Sequence, residues 1–299
     1  MNSIHLSDST STPAAEKPRL LRLADILGKV EADARAAHEA RITGQPRGPV
    51  TGLSKVDLEL GGALPEGITV LLGNTGAGKT AFALQAATTN PYPTLFVTCE
   101  MSPEELLRRH TARVSNQYLN RFKSGEMTPE SVLGYVKQAI EAAPLLSLVD
   151  ATRAYASPKF LFEAAQVARG DDKHLLIVID SLHSWSRGMM DGASEYDVLG
   201  EALAELRTLS HKTQGSLMVV SERNRANIKK GGVNSGAGHR QIEYGAEVVI
   251  DLIRDEQARP DGLGEVDVTL KLAKNRHGAA GKDVPLKFNG ALQSFRESK

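Results

Sequence analysis

Gly73-Asn74-Thr75-Gly76-Ala77-Gly78-Lys79-Thr80 fits the spacing G-x-x-x-x-G-K-[ST], whose chemistry is the gripping of a polyphosphate. Glycines let the backbone curl until successive N–H groups face phosphate oxygens, and a helix that follows adds its positive end. Lys79 then reaches the β- and γ-phosphates of a nucleoside triphosphate, and the Thr80 hydroxyl is set to ligate Mg²⁺. The apolar β-branched run Ile68 to Leu72 stands before the loop and the helix-favouring run Ala81 to Ala87 behind it. Strand, loop and helix in that order favour nucleotide binding over the plainer alternative of a glycine-rich turn that binds nothing.

Two carboxylates extend the chemistry. Leu175-Leu176-Ile177-Val178-Ile179-Asp180 is an apolar strand closing on an acid, the form taken where an Asp holds Mg²⁺ through water, although any solvated Asp can end a strand. Hydrolysis also needs a group that orients or deprotonates the attacking water. A carboxylate at the C-terminal edge of the sheet, beside the strand that feeds the phosphate loop, is well placed for it. Glu100 is that carboxylate. Its alternative role is capping or pairing on the next helix, which Glu104 and Glu105 can fill as well.

The elements that must position these groups can be read from period and punctuation. Pro91 and Pro93 break the chain before Thr94 to Cys99, a buried strand, and Ser102-Pro103-Glu104-Glu105 supplies an N-cap, a proline at the first helical position and a capping-box glutamate. Further apolar runs lie at Leu145 to Val149, Ser216 to Val220, Val248 to Ile253 and Val266 to Leu272; Tyr196, Leu199, Leu203, Leu206 and Leu209 mark an amphipathic helix. Strands alternating with helices predict an α/β fold, a mostly parallel twisted sheet with helices on both faces. Ahead of it, Leu20, Leu23, Leu27, Val30, Ala34 and Ala37 draw one stripe on a helix running to about Ile42, ended by Gly44, Pro46 and Gly48. That stripe must be buried on the chain's own body or on a neighbouring subunit. The expected organisation is a disordered tail over 1–18, an amphipathic helix over 19–47 and one ATPase domain over 48–299.

The 299 residues are 41% hydrophobic, enough for a substantial core, and 36 basic residues balance 36 acidic ones. No global field draws nucleic acid, so any such binding needs a local patch. One cysteine, Cys99, rules out an internal disulfide and fits a reducing compartment, and no stretch approaches a membrane span. A cytoplasmic protein with no membrane partner is expected. His183 and His277 show no metal-ligand spacing, so no metal beyond Mg²⁺ is assigned.

The local patch is the segment 222–240, which holds Arg223, Arg225, Lys229, Lys230 and Arg240 among glycines, with Glu222 its only acid. Repeated around a ring of subunits, such a loop gives salt-sensitive, sequence-independent contacts to single-stranded DNA; the bland alternative is a solvated loop. Lys274-Asn275-Arg276 follows the strand Val266 to Leu272, and by itself is an ordinary solvated strand end.

Together these motifs resemble the C-terminal RecA-type ATPase domain of the DnaB-like replicative helicases, from about Leu23 to Arg296. Thr51-Gly52-Leu53, Asp57 and Gly61-Gly62 resemble that family's opening segment, Phe96-Val97-Thr98-Cys99-Glu100-Met101-Ser102 its strand ending in the catalytic glutamate, and Arg121, Ser124 and Gly125 continue the match. Lys274-Asn275-Arg276-His277-Gly278 is similar to the element that reaches a neighbour's nucleotide. The resemblance implies a ring homo-oligomer, a hexamer, with Lys79, Thr80, Asp180 and Glu100 from one subunit meeting Lys274 and the finger Arg276 from the next. It implies DNA binding near Ser221, a linker helix docked on an adjacent subunit, and a protein partner such as a loader or a replication or recombination factor. Fewer than twenty residues precede the helix, so the family's N-terminal collar is expected to be missing. Glu222 stands where the family carries a glutamine sensor, and Ser221-Glu222-Arg223 also resembles the RadA and KaiC branches, which implies the alternative of a nucleotide-dependent assembly ATPase that recruits a partner without unwinding.

Overall fold

A computed structural model of the chain describes residues 19–189, 194–223, 242, 244–255 and 257–298. In chain order these form α1 (Leu27–Thr43), α2 (Ser54–Glu59), β1 (Gly67–Gly73), α3 (Lys79–Thr89), β2 (Thr94–Thr98), α4 (Pro103–Ser115), α5 (Pro129–Glu141), β3 (Leu146–Asp150), α6 (Pro158–Arg169), β4 (Leu176–Asp180), α7 (Leu182–Ser186), α8 (Glu195–Thr213), β5 (Ser216–Val220), β6 (Val248–Arg254), β7 (Glu265–Asn275), β8 (Asp283–Asn289) and β9 (Ser294–Glu297).

The strands form one sheet in the order β3-β2-β4-β5-β1-β6-β7-β8-β9. From β3 to β6 every pairing is parallel, and from β6 to β9 every pairing is antiparallel. Central strands buried on both faces are continuous runs such as Leu176-Ile177-Val178-Ile179. β7 instead alternates, burying Val266, Val268, Leu270 and Leu272, the pattern of a half-solvated antiparallel strand. The strands read at 248–253 and 266–272 are present, and β8 and β9 add an antiparallel edge that the runs did not announce.

Helices cover both faces, as expected. One cluster packs Val56, Phe82, Ala83, Leu106, Phe288 and Phe295 against one side, and another packs Leu161, Trp185, Leu199, Leu203 and Leu206 against the other. Three helices open alike, at Ser102-Pro103, Thr128-Pro129 and Ser157-Pro158, where the hydroxyl accepts the N–H three residues on. Asp57 ties the turn before α2 by accepting from Thr51 N at 2.7 Å, Thr51 Oγ1 at 2.8 Å and Gly52 N at 3.1 Å.

The N-terminal helix is divided. Leu23–Ile26 is a 3₁₀ turn and α1 carries on to Gly44, whose φ of 71° ends it with an N–H to Ala40 O at 3.0 Å. Neither piece has a buried residue: Leu23 is 86% exposed and Leu27 67%. The apolar stripe therefore finds no home on the described residues of its own chain. The body begins where the Tyr92 hydroxyl donates to Pro46 O and Leu64 N donates to Pro49 O at 2.7 Å.

Candidate nucleotide site

Every group of interest in the parallel half lies at the C-terminal ends of its strands. β1 runs between β5 and β6, while the chain leaves it through α3 to reach β2 beyond β4, so the loop 74–78 opens where strand order reverses. Gly76 and Gly78 have φ of 80° and 92°, and a Cβ on Gly78 would come within 2.8 Å of the Phe295 ring. Glycine there answers both a left-handed backbone and the aromatic pair from β8 and β9.

Lys79 opens α3 and folds back, its ammonium donating to Gly73 O at 2.9 Å and Asn74 O at 3.1 Å. Burial lowers its pKa, and the carboxylates of Glu222, Asp180 and Glu100 oppose the fall. Those acids, far apart in sequence, converge on one lysine. Register explains part of it: Thr98 in β2 stands opposite Asp180 in β4, and Cys99 N donates to Asp180 O at 2.8 Å.

Asp180 is 5% exposed. Burial lifts its carboxyl to about 6, helped by the nearby charge of Glu100 and opposed by a hydrogen bond with Thr80 and by Lys79. A buried carboxylate beside the hydroxyl that follows the loop lysine is a hard-oxygen donor pair of the kind Mg²⁺ takes together with phosphates and waters. No group of three His, Cys, Asp or Glu able to hold a metal occurs among the described residues, and Mg²⁺ bound chiefly through a nucleotide needs none.

The Glu100 carboxylate is solvent-facing and accepts from the hydroxyls of Ser181, the N-cap of α7, and of Ser184 within it, the latter at 2.7 Å. Burial of the group pushes its pKa up, but those hydroxyls with Lys79 and Arg187 outweigh it and hold the carboxyl below its ordinary value. Glu222, two residues past β5, accepts from the Thr75 hydroxyl at 3.4 Å. Arg254, at the end of β6, donates from Nη1 to Gly76 O at 3.0 Å. Ser181, Ser184 and Arg254 were not singled out by the motif reading. The signals were there: hydroxyls in capping spacing just after a strand-end acid, and a cation closing a strand on the loop's edge.

Arg223 belongs to this edge too. Its N–H donates to Gly73 O at 3.2 Å and its guanidinium pairs with Asp251, which is 1% exposed, in β6. Arg225, Lys229, Lys230 and Arg240 lie outside the described residues.

Lys274 and Arg276 are elsewhere. Lys274 pairs in register with Val249, Val249 with Val70, and Arg276 N donates to Glu247 O at 3.0 Å, level with Ile68. At about 3.3 Å per residue, Ile68 lies roughly 16 Å down the strand from Gly73. Lys274 Nζ donates to Ala246 O at 2.7 Å, and Arg276 contacts Glu247 Oε1 at 3.3 Å and Tyr244 O at 3.1 Å. Arg276 and the Lys274 ammonium thus lie toward the opposite end of the strands from their own chain's glycine loop.

Solved structures share the architecture. One of them, an isolated ATPase domain, superposes with a TM-score of 0.75 at 17% identity, covering 93% of this chain and 99% of that one. A DnaB-like replicative helicase, described with its interactions with primase, gives 0.74 at 17% over 94% of this chain and 68% of that one. A KaiC-like protein from Pyrococcus horikoshii follows at 0.57 and 20%, covering 83% and 97%. The fold is thus a RecA-type core, as expected from the motifs. In sequence, the replicative DNA helicase DnaB of Haemophilus influenzae is 24% identical over 91% of this chain and 58% of its own length. That of Geobacillus stearothermophilus is 24% identical over 86% and 57%. The chain spans little more than half the length of these relatives. Its glycine loop, strand-end acids and sheet order all fall inside residues 48–297, the stretch matched by the family model of the DnaB-like helicase C-terminal domain, and the chain belongs to that family.

Proposed function

We propose that this chain is the ATP-hydrolysing motor domain of a ring-forming DnaB-like helicase that moves along single-stranded DNA. The observation that carries the reading is the separation of the site's halves: Lys79, Thr80, Asp180 and Glu100 at one end of the strands, Lys274 and Arg276 toward the other. A head-to-tail ring, a hexamer in this family, brings these ends of neighbours together at every interface. There the loop N–H groups and Lys79 hold the phosphates, Thr80 and Asp180 hold Mg²⁺, and Glu100 accepts the proton of the attacking water. Lys274 and Arg276 from the next subunit neutralise the charge that develops on the leaving phosphates. Bound Mg²⁺ supplies charge neutralisation at the phosphate oxygens.

The exposed Leu23, Leu27 and Val30 of the N-terminal helical segment support the ring as well. An apolar groove of about 320 Å³ between α4, α5 and β3 is lined by Leu107, Ile140, Leu146 and Leu148, and α1 of an adjacent copy is its proposed occupant. Arg225, Lys229, Lys230 and Arg240 are assigned to the DNA backbone, while Arg223 pairs with Asp251 in β6.

ATP turnover with and without single-stranded DNA, run beside a mass measurement, tests the reading. A ring whose turnover rises with DNA and falls with salt is expected. A second reading rests on Glu222, the carboxylate at the loop where the family has a glutamine: a nucleotide-dependent assembly ATPase that recruits a partner without unwinding. Turnover indifferent to every nucleic acid, with an oligomer that forms only with ATP, selects it.

A further inference from the structure

We infer that Ser181 and Ser184 are positioning residues that aim the Glu100 carboxylate at the attacking water; the inference rests on Glu100 being the base. Glu100 lies between β2 and α4, outside regular structure, on a side chain with three free torsions. Left alone, such a chain spreads over many rotamers. Both hydroxyls donate to the same oxygen, Oε1, Ser184 Oγ at 2.7 Å, and Oε2 accepts no hydrogen bond from the described residues. One oxygen is therefore anchored while the other keeps its lone pairs for a water proton.

The anchor is itself fixed. Ser181 is the N-cap of α7, 4% exposed, its Oγ accepting from Ser184 N at 3.4 Å, and it follows Asp180 directly in the chain. The base is thereby referenced to the strand carrying the Mg²⁺ ligand, so water, metal and phosphate are set in one frame. Donation to a carboxylate favours its ionised, proton-accepting form. A general base needs reach and direction before it needs basicity, and a misplacement of about 1 Å can cost a hundredfold.

The test compares Ser184→Ala, Ser184→Thr and Ser181→Ala/Ser184→Ala with wild type and Glu100→Gln in the full chain. Each variant is checked for folding by thermal melting and for binding of a fluorescent non-hydrolysable ATP analogue. We expect kcat to fall roughly tenfold in Ser184→Ala and further in the double variant, with KM and analogue affinity unchanged and Ser184→Thr near wild type. An unchanged or raised kcat in the alanine variants overturns the inference, as does a loss mirrored in analogue affinity or one that threonine fails to restore. Turnover surviving in Glu100→Gln removes the base assignment, and the inference falls with it.

Discussion

The Thr75 hydroxyl donates to Glu222 Oε1 at 3.4 Å, which sets a third carboxylate over the glycine loop beside those of Asp180 and Glu100. In the proposed nucleotide site an incoming γ-phosphate meets that charge, with Lys79 to compensate it. Glu222→Gln keeps the hydrogen bond to Thr75 and removes the repulsion. DNA-coupled turnover of the variant should rise by about tenfold, the effect of one like charge worth about 1.4 kcal/mol. A fall to background in steady-state assays makes Glu222 catalytic instead.

Glu100→Gln keeps the shape of the proposed base and removes its basic carboxylate. Turnover should drop by a factor on the order of 100 to 10,000, the range general-base groups supply, with ATP affinity retained. Single-turnover kinetics alongside equilibrium binding separates the two quantities.

If each pocket takes its cations from the neighbour, chains with Lys79→Ala and chains with Arg276→Ala are inactive separately for different reasons. Mixed rings contain interfaces where an intact phosphate loop faces an intact Arg276. Mixing should recover a measurable part of wild-type turnover; none recovered, with co-assembly shown by mass, means the pocket is not shared.

His110 gives a pH prediction away from the site. Its Nε2 donates to Ala139 O at 2.8 Å, and its Nδ1 faces Arg113 Nη2 at 3.2 Å. Burial, then the Arg113 charge, lower its pKa to about 4. Between pH 6.5 and 4 the unfolded chain takes up a proton that the folded chain refuses, so stability falls as pH drops through that window. At pH 5 the cost is about 2 kcal/mol relative to pH 7.5. Urea unfolding of wild type and His110→Gln at both pH values should show the variant losing less; equal losses reject the assignment.

The parallel half of the fold and its acids were legible because their signals are local. A glycine loop between strand and helix, an acid closing an apolar run and Ser-Pro caps each lie within a few residues of the group they position. The antiparallel edge was not legible for the opposite reason. β9 is four residues long, β8 carries Pro285, and the contacts that hold them are distant: Gln85 exchanges hydrogen bonds with Phe295 N and O at 2.8 and 2.9 Å. Arg254 and Gly76 meet only because β1 and β6 pair, a long-range fact no spacing encodes. Arg223 shows the cost of reading charge by neighbourhood: it sits in a basic stretch, yet its guanidinium turns inward to a buried acid in β6.

α1 is a 17-residue helix with no buried side chain. Most helical stability in proteins comes from tertiary packing, so if α1 docks on a neighbouring copy as proposed, its winding is coupled to that docking. Order in this segment then obeys mass action, and dilution unwinds it before the core responds. Far-ultraviolet ellipticity that climbs with protein concentration, at a constant melting point for the sheet, is the signature of a protomer finished only by company.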